Sequence, residues 1–202
     1  IKDPLLDTRE NLLGTVHVLE AARAANVKRV IFASTAAAYG DVKEDDLPVR
    51  EAQPTEPMSF YGLSKLSVEK YLEMYRKIYG MEYVVLRFAN VYGERQGDGG
   101  EGGVISIFAK AVAEGRDITI YGDGEQTRDF VYAGDIAEGI LAALRTEEVN
   151  AAYNLSTQTE TSLRELVSLL AEICGREIVP KYGAEREGDI YKSMLSNSRA
   201  RR

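Results

Sequence analysis

The stretch YGLSK, residues 61–65, places a tyrosine and a lysine four residues apart. Four residues are a little more than one helical turn, so Tyr61 and Lys65 would project from one face as neighbours. An unperturbed phenol, with a pKa of ~10, is a poor base at neutral pH, and a nearby cation lowers that pKa by favouring the phenolate. The spacing therefore has two interpretations: a packed ring beside a solvated charge, or an acid–base pair.

Hydrophobic periodicity predicts helices alternating with short apolar strands around this pair. The predicted elements, in chain order, are a helix ending near Asn26, a strand at about 29–34, a long loop at 40–60, a helix at about 61–79 ended by Gly80, the strand EYVVLRFA, a helix at about 104–114, the strand DITIYG, the segment RDFVY, a helix at 135–145, the strand AAYNLST and a helix at 163–174 with a capping box of Ser162 and Glu165. The apolar stripe predicted for the helix at 61–79 consists of Val68, Tyr71, Leu72, Tyr75 and Ile78.

Alternation of this kind predicts an α/β fold with a doubly wound parallel sheet. Such folds bind ligands at the carboxyl ends of their strands. Thr35, Asn90 and Asn154 stand at predicted strand ends and would therefore lie at the ligand edge. Each of them could equally cap a helix or form a turn.

Composition narrows the class of protein. The chain has 202 residues and a net charge of −7, which argues against nucleic acid or an anionic membrane as a partner but not against a small anionic ligand. The only cysteine, Cys174, is predicted to be a buried helical residue, and a single cysteine indicates a reducing, cytoplasmic setting. With one cysteine and one histidine, His17, which is predicted to lie at the surface or the core edge, no His/Cys metal site is expected.

Five stretches carry a family resemblance: NLLGTVHVLEAARAANVKRVIFAST, YGLSK, LRFANVYG, IYGDGEQTRDFVY and EREGDI. In this order they resemble extended short-chain dehydrogenases/reductases of the NAD-dependent nucleotide-sugar epimerase/dehydratase family, with the pattern of UDP-glucose 4-epimerases. The resemblance implies a Rossmann-type sheet with a smaller α/β substrate domain. It assigns residues 1–93 to the NAD-binding domain and 94–202 mostly to the substrate domain, with 128–157 returning to the first.

Family members open with a glycine-rich turn, G-x-x-G-x-x-G, that holds the cofactor pyrophosphate. No such turn stands at the start of this chain. We therefore expect a fragment, cut at both ends and lacking the first βαβ units. By itself the 202-residue chain is expected to be poorly soluble or molten, not to retain NAD, and to be inactive.

The resemblance implies that Thr35, Tyr61 and Lys65 are catalytic. Tyr61, as a phenolate, would take the proton of a sugar hydroxyl while hydride passes to NAD. Thr35 would hydrogen-bond the same hydroxyl, and Lys65 would also hold the nicotinamide ribose. In the 4-epimerase version the keto sugar turns over and takes the hydride back, so the cofactor ends unchanged. The implied NAD contacts are Asn11, Ser34, Thr35, Tyr61, Lys65 and Ala89.

The resemblance also implies the residues that hold a UDP-sugar. Arginine matches phosphate oxygens with its planar fork, although a lone arginine is more often a surface ion pair. Asn90, Arg128 and Arg186 would lie near the diphosphate. Asp189 would contact the ribose and Tyr121 the uracil. Gly103, Val104 and Thr119 complete the implied substrate contacts, beside Thr35 and Tyr61. A homodimer packed through the helix at 61–79 and the helix ending near Asn26 is expected as well.

The two positions that directly follow Thr35 distinguish the epimerases of this family from its dehydratases. Dehydratases of this group carry acidic residues there, whereas this chain has Ala36 and Ala37. A methyl group cannot transfer a proton, so an NAD-dependent UDP-sugar epimerase is the favoured hypothesis. A 4,6-dehydratase, a keto-sugar reductase and a non-catalytic nucleotide-binding relative are the alternatives.

Overall fold

The computed structural model describes residues 3–97, 103–186 and 190–202; Asp189 lies outside these ranges. The helices are α1 (Pro4–Asp7), continued by a π-helix (Thr8–Leu13), then α2 (Gly14–Ala24), α3 (Phe60–Tyr79), α4 (Val104–Ala113), α5 (Ala133–Arg145) and α6 (Leu163–Cys174). The strands are β1 (Arg29–Thr35), β2 (Glu82–Phe88), β3 (Asn90–Tyr92), β4 (Thr119–Tyr121), β5 (Thr127–Arg128), β6 (Phe130–Tyr132), β7 (Ala151–Leu155), β8 (Thr161–Ser162) and β9 (Lys181–Gly183). Two 3₁₀ turns, Ala36–Ala38 and Glu44–Asp46, lie between β1 and α3.

The main sheet is parallel, in the order β1-β2-β7, and helices cover both of its faces. Strand β2 is buried on both sides, which explains its nearly continuous apolar sequence. Tyr83 and Val85 pack with α2 and α3, whereas Val84 and Leu86 pack with α5. The predicted α/β fold with parallel strands is confirmed.

A second hydrophobic core forms where α4 and α6 pack on β4. Phe108, Ile120 and Leu166 are buried at its centre. Strand β4 pairs in parallel with β9, β3 pairs in parallel with β6, and β5 pairs antiparallel with β8. The predicted capping box of Ser162 and Glu165 opens α6. Strand β7 pairs with β2, while the domain boundaries at 93 and 128–157 stay predictions.

Asn154 stands at the carboxyl end of β7, opposite Arg87 of β2, as expected, but its side chain is buried and is not available to a ligand. It is 0% exposed and acts as a strut between distant segments. Its side chain accepts a hydrogen bond from the Tyr39 hydroxyl (2.7 Å) and donates to the carbonyls of Val49 (2.9 Å) and Ser196 (3.2 Å). The long loop at 40–60 is thereby fixed to the segment near residue 195.

Two further expectations about burial are wrong. Cys174 is exposed, because it ends α6 beside the left-handed Gly175, where the helix has passed beyond the core. On α3, Val68, Leu72 and Tyr75 are buried as predicted, but Tyr71 and Ile78 are 42% and 60% exposed. The stripe predicted as one core-facing surface is therefore divided between a buried part and an outer part. His17 is exposed, as expected.

Within the described ranges, no helix combines the length and the apolar character that crossing a bilayer requires.

Candidate active site

The beginning of α3 lies unusually close to the end of β1. Ser59 caps the helix by accepting a hydrogen bond from the Gly62 amide (3.0 Å). A Cβ atom at Gly62 would stand 2.5 Å from the Ala37 carbonyl oxygen, so only glycine permits this approach. The contact brings Tyr61, which neighbours Gly62, toward the turn that follows Thr35.

Thr35 is held at the end of β1 by the turn that it caps. Its hydroxyl oxygen accepts a hydrogen bond from the Ala37 amide (3.1 Å). That bond does not use the hydroxyl hydrogen, so Thr35 can donate to an oxygen atom of a ligand. Thr35, Ala36 and Ala37 all line the same cleft.

Lys65 projects from α3 back toward β1 and stands beside the Tyr61 ring, the neighbour that the four-residue spacing predicts. Its ammonium donates to the Ala33 carbonyl (3.1 Å) and lies 5.0 Å from the ring centroid of Phe32 and 5.7 Å from that of Tyr61. Burial lowers the pKa of Lys65, and the negative charge of Asp7 partly opposes that change. A lysine cation at this distance favours the phenolate form of a tyrosine.

The three other predicted cofactor contacts occupy different environments. Asn11 lies in the π-helix and donates from its amide to Asp7 (2.7 Å). Ala89 lines the cleft. Ser34 is buried, and its hydroxyl donates to the Glu69 carboxylate (2.5 Å). The Ser34 hydroxyl is thus occupied in the interior, which leaves its backbone as the group that a cofactor contact would use.

The cleft beside Thr35 has a volume of about 310 Å³ and two basic side chains in its lining, Arg128 and Lys192. Asn90 lines it as well. Lys192, which forms an ion pair with Glu44 (2.8 Å), is not among the residues predicted above. The sequence signal that could have identified it is a basic residue two positions after the EREGDI stretch. Positive charge here suits an anionic ligand in a chain that is acidic overall.

A second, smaller cavity of about 120 Å³ shares the wall residue Ile190 with the cleft. Tyr121 lines it, and the Arg186 guanidinium stacks 3.9 Å from the centroid of the Tyr121 ring. One face of the ring predicted to contact uracil is therefore covered by the arginine predicted to contact the diphosphate. The structure brings Asn90 and Arg128 together in the larger cleft, with Arg186 at the neighbouring cavity.

Among the described residues, Tyr61 and the predicted substrate contacts Thr119, Gly103 and Val104 do not line the larger cleft. Thr119 is exposed in β4, two residues before Tyr121. Gly103 caps α4, where a Cβ atom would stand 2.8 Å from the Gln96 side chain, and Val104 begins that helix. Their roles stay predictions.

Comparisons with known proteins agree with this geometry. Residues 1–156 match the NAD dependent epimerase/dehydratase family. A putative UDP-glucose 4-epimerase of Methanocaldococcus jannaschii is 42% identical over 201 residues, which cover 99% of this chain and 65% of that protein.

Two solved structures are similar throughout the chain. The UDP-glucose 4-epimerase of Thermotoga maritima with UDP-glucose has a TM-score of 0.95 at 39% identity, covering 100% of this chain and 65% of that one. The UDP-N-acetylglucosamine 4-epimerase of Methanobrevibacter ruminantium, in complex with UDP-N-acetylmuramic acid, has a TM-score of 0.93 at 33% identity, covering 98% and 63%. The chain spans about 65% of the length of the curated relatives it matches. Family match, fold and site together establish that the chain belongs to the NAD-dependent epimerase/dehydratase family.

Proposed function

We propose that the full-length protein, in which the variants below are to be made, is an NAD-dependent epimerase of a nucleotide-sugar, of the UDP-glucose/UDP-galactose 4-epimerase type, which acts through transient oxidation at C4 of the sugar. One observation carries the proposal: the contact of Gly62 with Ala37 joins the start of α3, which carries the Tyr61–Lys65 pair, to the turn after Thr35, and Thr35 and Ala37 line the cleft. The names of the similar proteins support the same reaction.

In the proposed reaction Tyr61 is the general base. The Lys65 ammonium, 5.7 Å from its ring centroid, favours the phenolate. The phenolate accepts the proton of the sugar 4-hydroxyl, and Thr35 holds the same oxygen through its hydroxyl hydrogen. When bound, NAD would supply the acceptor and the donor of the C4 hydride. Tyr61 would give the proton back to the sugar oxygen as the hydride is restored on the opposite face of the sugar.

The residues at this site suit the nicotinamide end of NAD. One of the three N–H donors of Lys65 is used by the Ala33 carbonyl, so others can reach the hydroxyls of a ribose. Asn11, whose amide donates to Asp7, lies in the π-helix that packs on α3. These contacts, and those of Ser34 and Ala89, are part of the proposal.

The nucleotide would lie across the two adjoining cavities. Asn90 and Arg128 in the larger cleft suit a diphosphate, because an amide and a guanidinium both donate to phosphate oxygens. The substrate roles of Arg186, Asp189, Tyr121, Thr119, Gly103 and Val104 are proposed on the family resemblance. Ala36 and Ala37 line the cleft with methyl groups, which disfavours dehydration.

We also propose a homodimer that acts in the cytoplasm. Tyr71, Met74 and Ile78 expose apolar surface along α3, and Leu13 and Val18 expose it on the π-helix and α2. A second copy that packs on these faces would bury them. Ile78→Glu is expected to convert a dimer to a monomer in analytical ultracentrifugation, whereas Ile173→Glu, a matched change of an exposed isoleucine on α6, should not. A monomeric wild-type protein would refute the dimer.

The acid–base role is tested by Tyr61→Phe, which keeps the ring and removes the hydroxyl. We expect turnover of UDP-galactose to fall by at least ~10²-fold, the lower end of the range for general acid–base catalysis. Tyr71→Phe, an exposed position on the same helix, should leave turnover unchanged.

Three outcomes would contradict the proposed function. Unchanged turnover in Tyr61→Phe would remove the mechanism. A stable 4-keto-6-deoxy product would indicate a dehydratase, and stoichiometric release of oxidised or reduced cofactor would indicate a reductase.

A further inference from the structure

Asp7 is a buried carboxylate that the proposed reaction does not use. It ends α1, where the chain enters the π-helix, and it is 1% exposed. π-Helical segments inside α-helices occur frequently at functional sites. Burial of a charged group is costly unless other groups compensate it, so the contacts of Asp7 indicate what it does.

Both oxygens of the Asp7 carboxylate accept hydrogen bonds from neutral groups. The Ser64 hydroxyl, from α3, donates to one oxygen, and the Asn11 amide donates to the other (2.7 Å). An ionised carboxylate only accepts hydrogen bonds, so two donors suit its charged form. Neither donor carries a charge, and the field of the carboxylate is therefore not cancelled within its own contacts.

Lys65 stands next to the residue that Asp7 binds on α3. Its ammonium is partly buried between Phe32 and Tyr61, and burial favours loss of its proton. The charge of Asp7 acts in the opposite direction and raises the pKa of Lys65. In a medium of low dielectric constant such an influence is stronger than in water.

Several of the other charged groups on the elements packed around Lys65 are in ion pairs of their own. These pairs are Glu69 with Arg87, Arg29 with Glu82, Arg9 with Glu10, and Glu20 with Arg23. Strand β1 presents the Ala33 carbonyl and the Phe32 ring to the ammonium, and Tyr61 is the titratable neighbour on α3 itself. Asp7, whose carboxylate is in no such pair, is the charged group whose influence on Lys65 opposes the effect of burial.

We propose that Asp7 is a positioning residue for the reaction: its buried negative charge keeps the Lys65 ammonium protonated, and its carboxylate fixes the side chain of Asn11. This inference rests on the proposed roles of Tyr61 and Lys65. Asp7 would act through these neighbours, without contact to the substrate. A protonated Lys65 would stabilise the phenolate over a wider range of pH than the buried lysine could without Asp7.

The test is Asp7→Asn, which nearly preserves shape and removes the charge. Lys65 is titrated by NMR in protein carrying ¹³C-labelled lysine, with its signal assigned from Lys65→Met. We expect Lys65 to lose its proton at a pH lower by about one unit, the lower end of the effect of a nearby opposite charge. The alkaline limb of the pH profile of kcat/KM, which reports the free enzyme, should move in the same direction.

Two control variants separate charge from structure. Glu10→Gln makes the same change of net charge at an exposed position of the π-helix, and Ser64→Ala removes a donor but keeps the carboxylate. Both should leave the titration of Lys65 within a few tenths of a pH unit of wild type. Should Asp7→Asn fail to fold, Asp7→Ser, which leaves room for a water molecule, carries the same expectation.

An unchanged titration of Lys65 in a folded Asp7 variant would overturn the inference, and so would an equal shift in Glu10→Gln. The NMR titration does not depend on turnover. If Tyr61→Phe retained full activity, the proposed function would fail while the influence of Asp7 on Lys65 would still be measured.

Discussion

Two buried carboxylates, Asp7 and Glu69, connect α3 to other elements at two different positions along the helix. Asp7 connects it to α1, and Glu69 connects it to the main sheet. They are 1% and 4% exposed, and each accepts a hydrogen bond from a serine hydroxyl, Ser64 or Ser34. Only Glu69 also meets a cation, since Arg87 donates to both of its oxygens, at 3.0 Å and 2.6 Å. A carboxylate paired in this way stabilises the architecture, whereas an unpaired one still acts on charges nearby.

The pair of Glu69 and Arg87 fixes three elements together. Arg87 lies in β2, Ser34 in β1 and Glu69 in α3, and the Arg87 guanidinium also stacks 4.7 Å from the centroid of the Tyr39 ring. Burial lowers the pKa of Arg87, but the contacts with Glu69 and Tyr39 together outweigh burial and raise that pKa. This cluster holds the end of β1 against α3, next to Thr35.

The largest expected loss of stability comes from removing one partner of the ion pair between Glu69 and Arg87. Arg87→Met leaves Glu69 buried without its cation, and removal of one partner of a buried ion pair costs about 3–5 kcal/mol. Asp7→Asn should cost less, about 1–3 kcal/mol, because an amide oxygen still accepts from one of the two donors. Urea denaturation of both variants measures the free energies of unfolding.

A double variant, Glu69→Leu with Arg87→Met, sharpens this contrast. Replacement of a whole buried pair by apolar side chains is often nearly neutral, so the double variant should be more stable than Arg87→Met alone. If Asp7→Asn destabilises the protein as much as Arg87→Met, the two carboxylates do not differ in the way that we describe.

A smaller effect distinguishes the two serines. Ser64→Ala leaves Asp7 with the Asn11 amide, whereas Ser34→Ala leaves Glu69 with both contacts from Arg87. Hydrogen bonds to charged groups contribute about 1.5–3 kcal/mol. We expect Ser64→Ala to lose a value in this range and Ser34→Ala to lose less, as measured by thermal unfolding. The reverse order would indicate that Arg87 does not compensate Glu69.

Local sequence patterns were sufficient for the elements that carry the site. The spacing of Tyr61 and Lys65, the glycine after α3 and the apolar run of β2 each depend on a few adjacent residues, and each prediction is confirmed. The resemblance to the family identified Thr35 as well, and the structure holds it in the same cleft as Asn90 and Arg128.

Local sequence patterns do not predict contacts between residues that are far apart in the chain. Asp7 and Glu69 look like ordinary polar residues of amphipathic helices, because their serine partners lie 57 and 35 residues away. Asn154 looks like a strand-end ligand for the same reason. Periodicity shows which side of a helix is apolar but not where the core ends, so the exposed Cys174 was assigned to the interior.

The hydrogen bonds of Asn154 to distant segments also affect the free energy of forming the cleft during folding. Its bond to Val49 closes a span of 105 residues, whereas the Ser59 cap of α3 closes a span of 3 residues. Because each doubling of a loop adds about 0.6 kcal/mol of closure entropy, the longer span costs about 3 kcal/mol more. Local helices can form without that cost, but the wall of the cleft cannot. The binding surface is thus a property of the assembled chain, and no short segment of it carries the cleft alone.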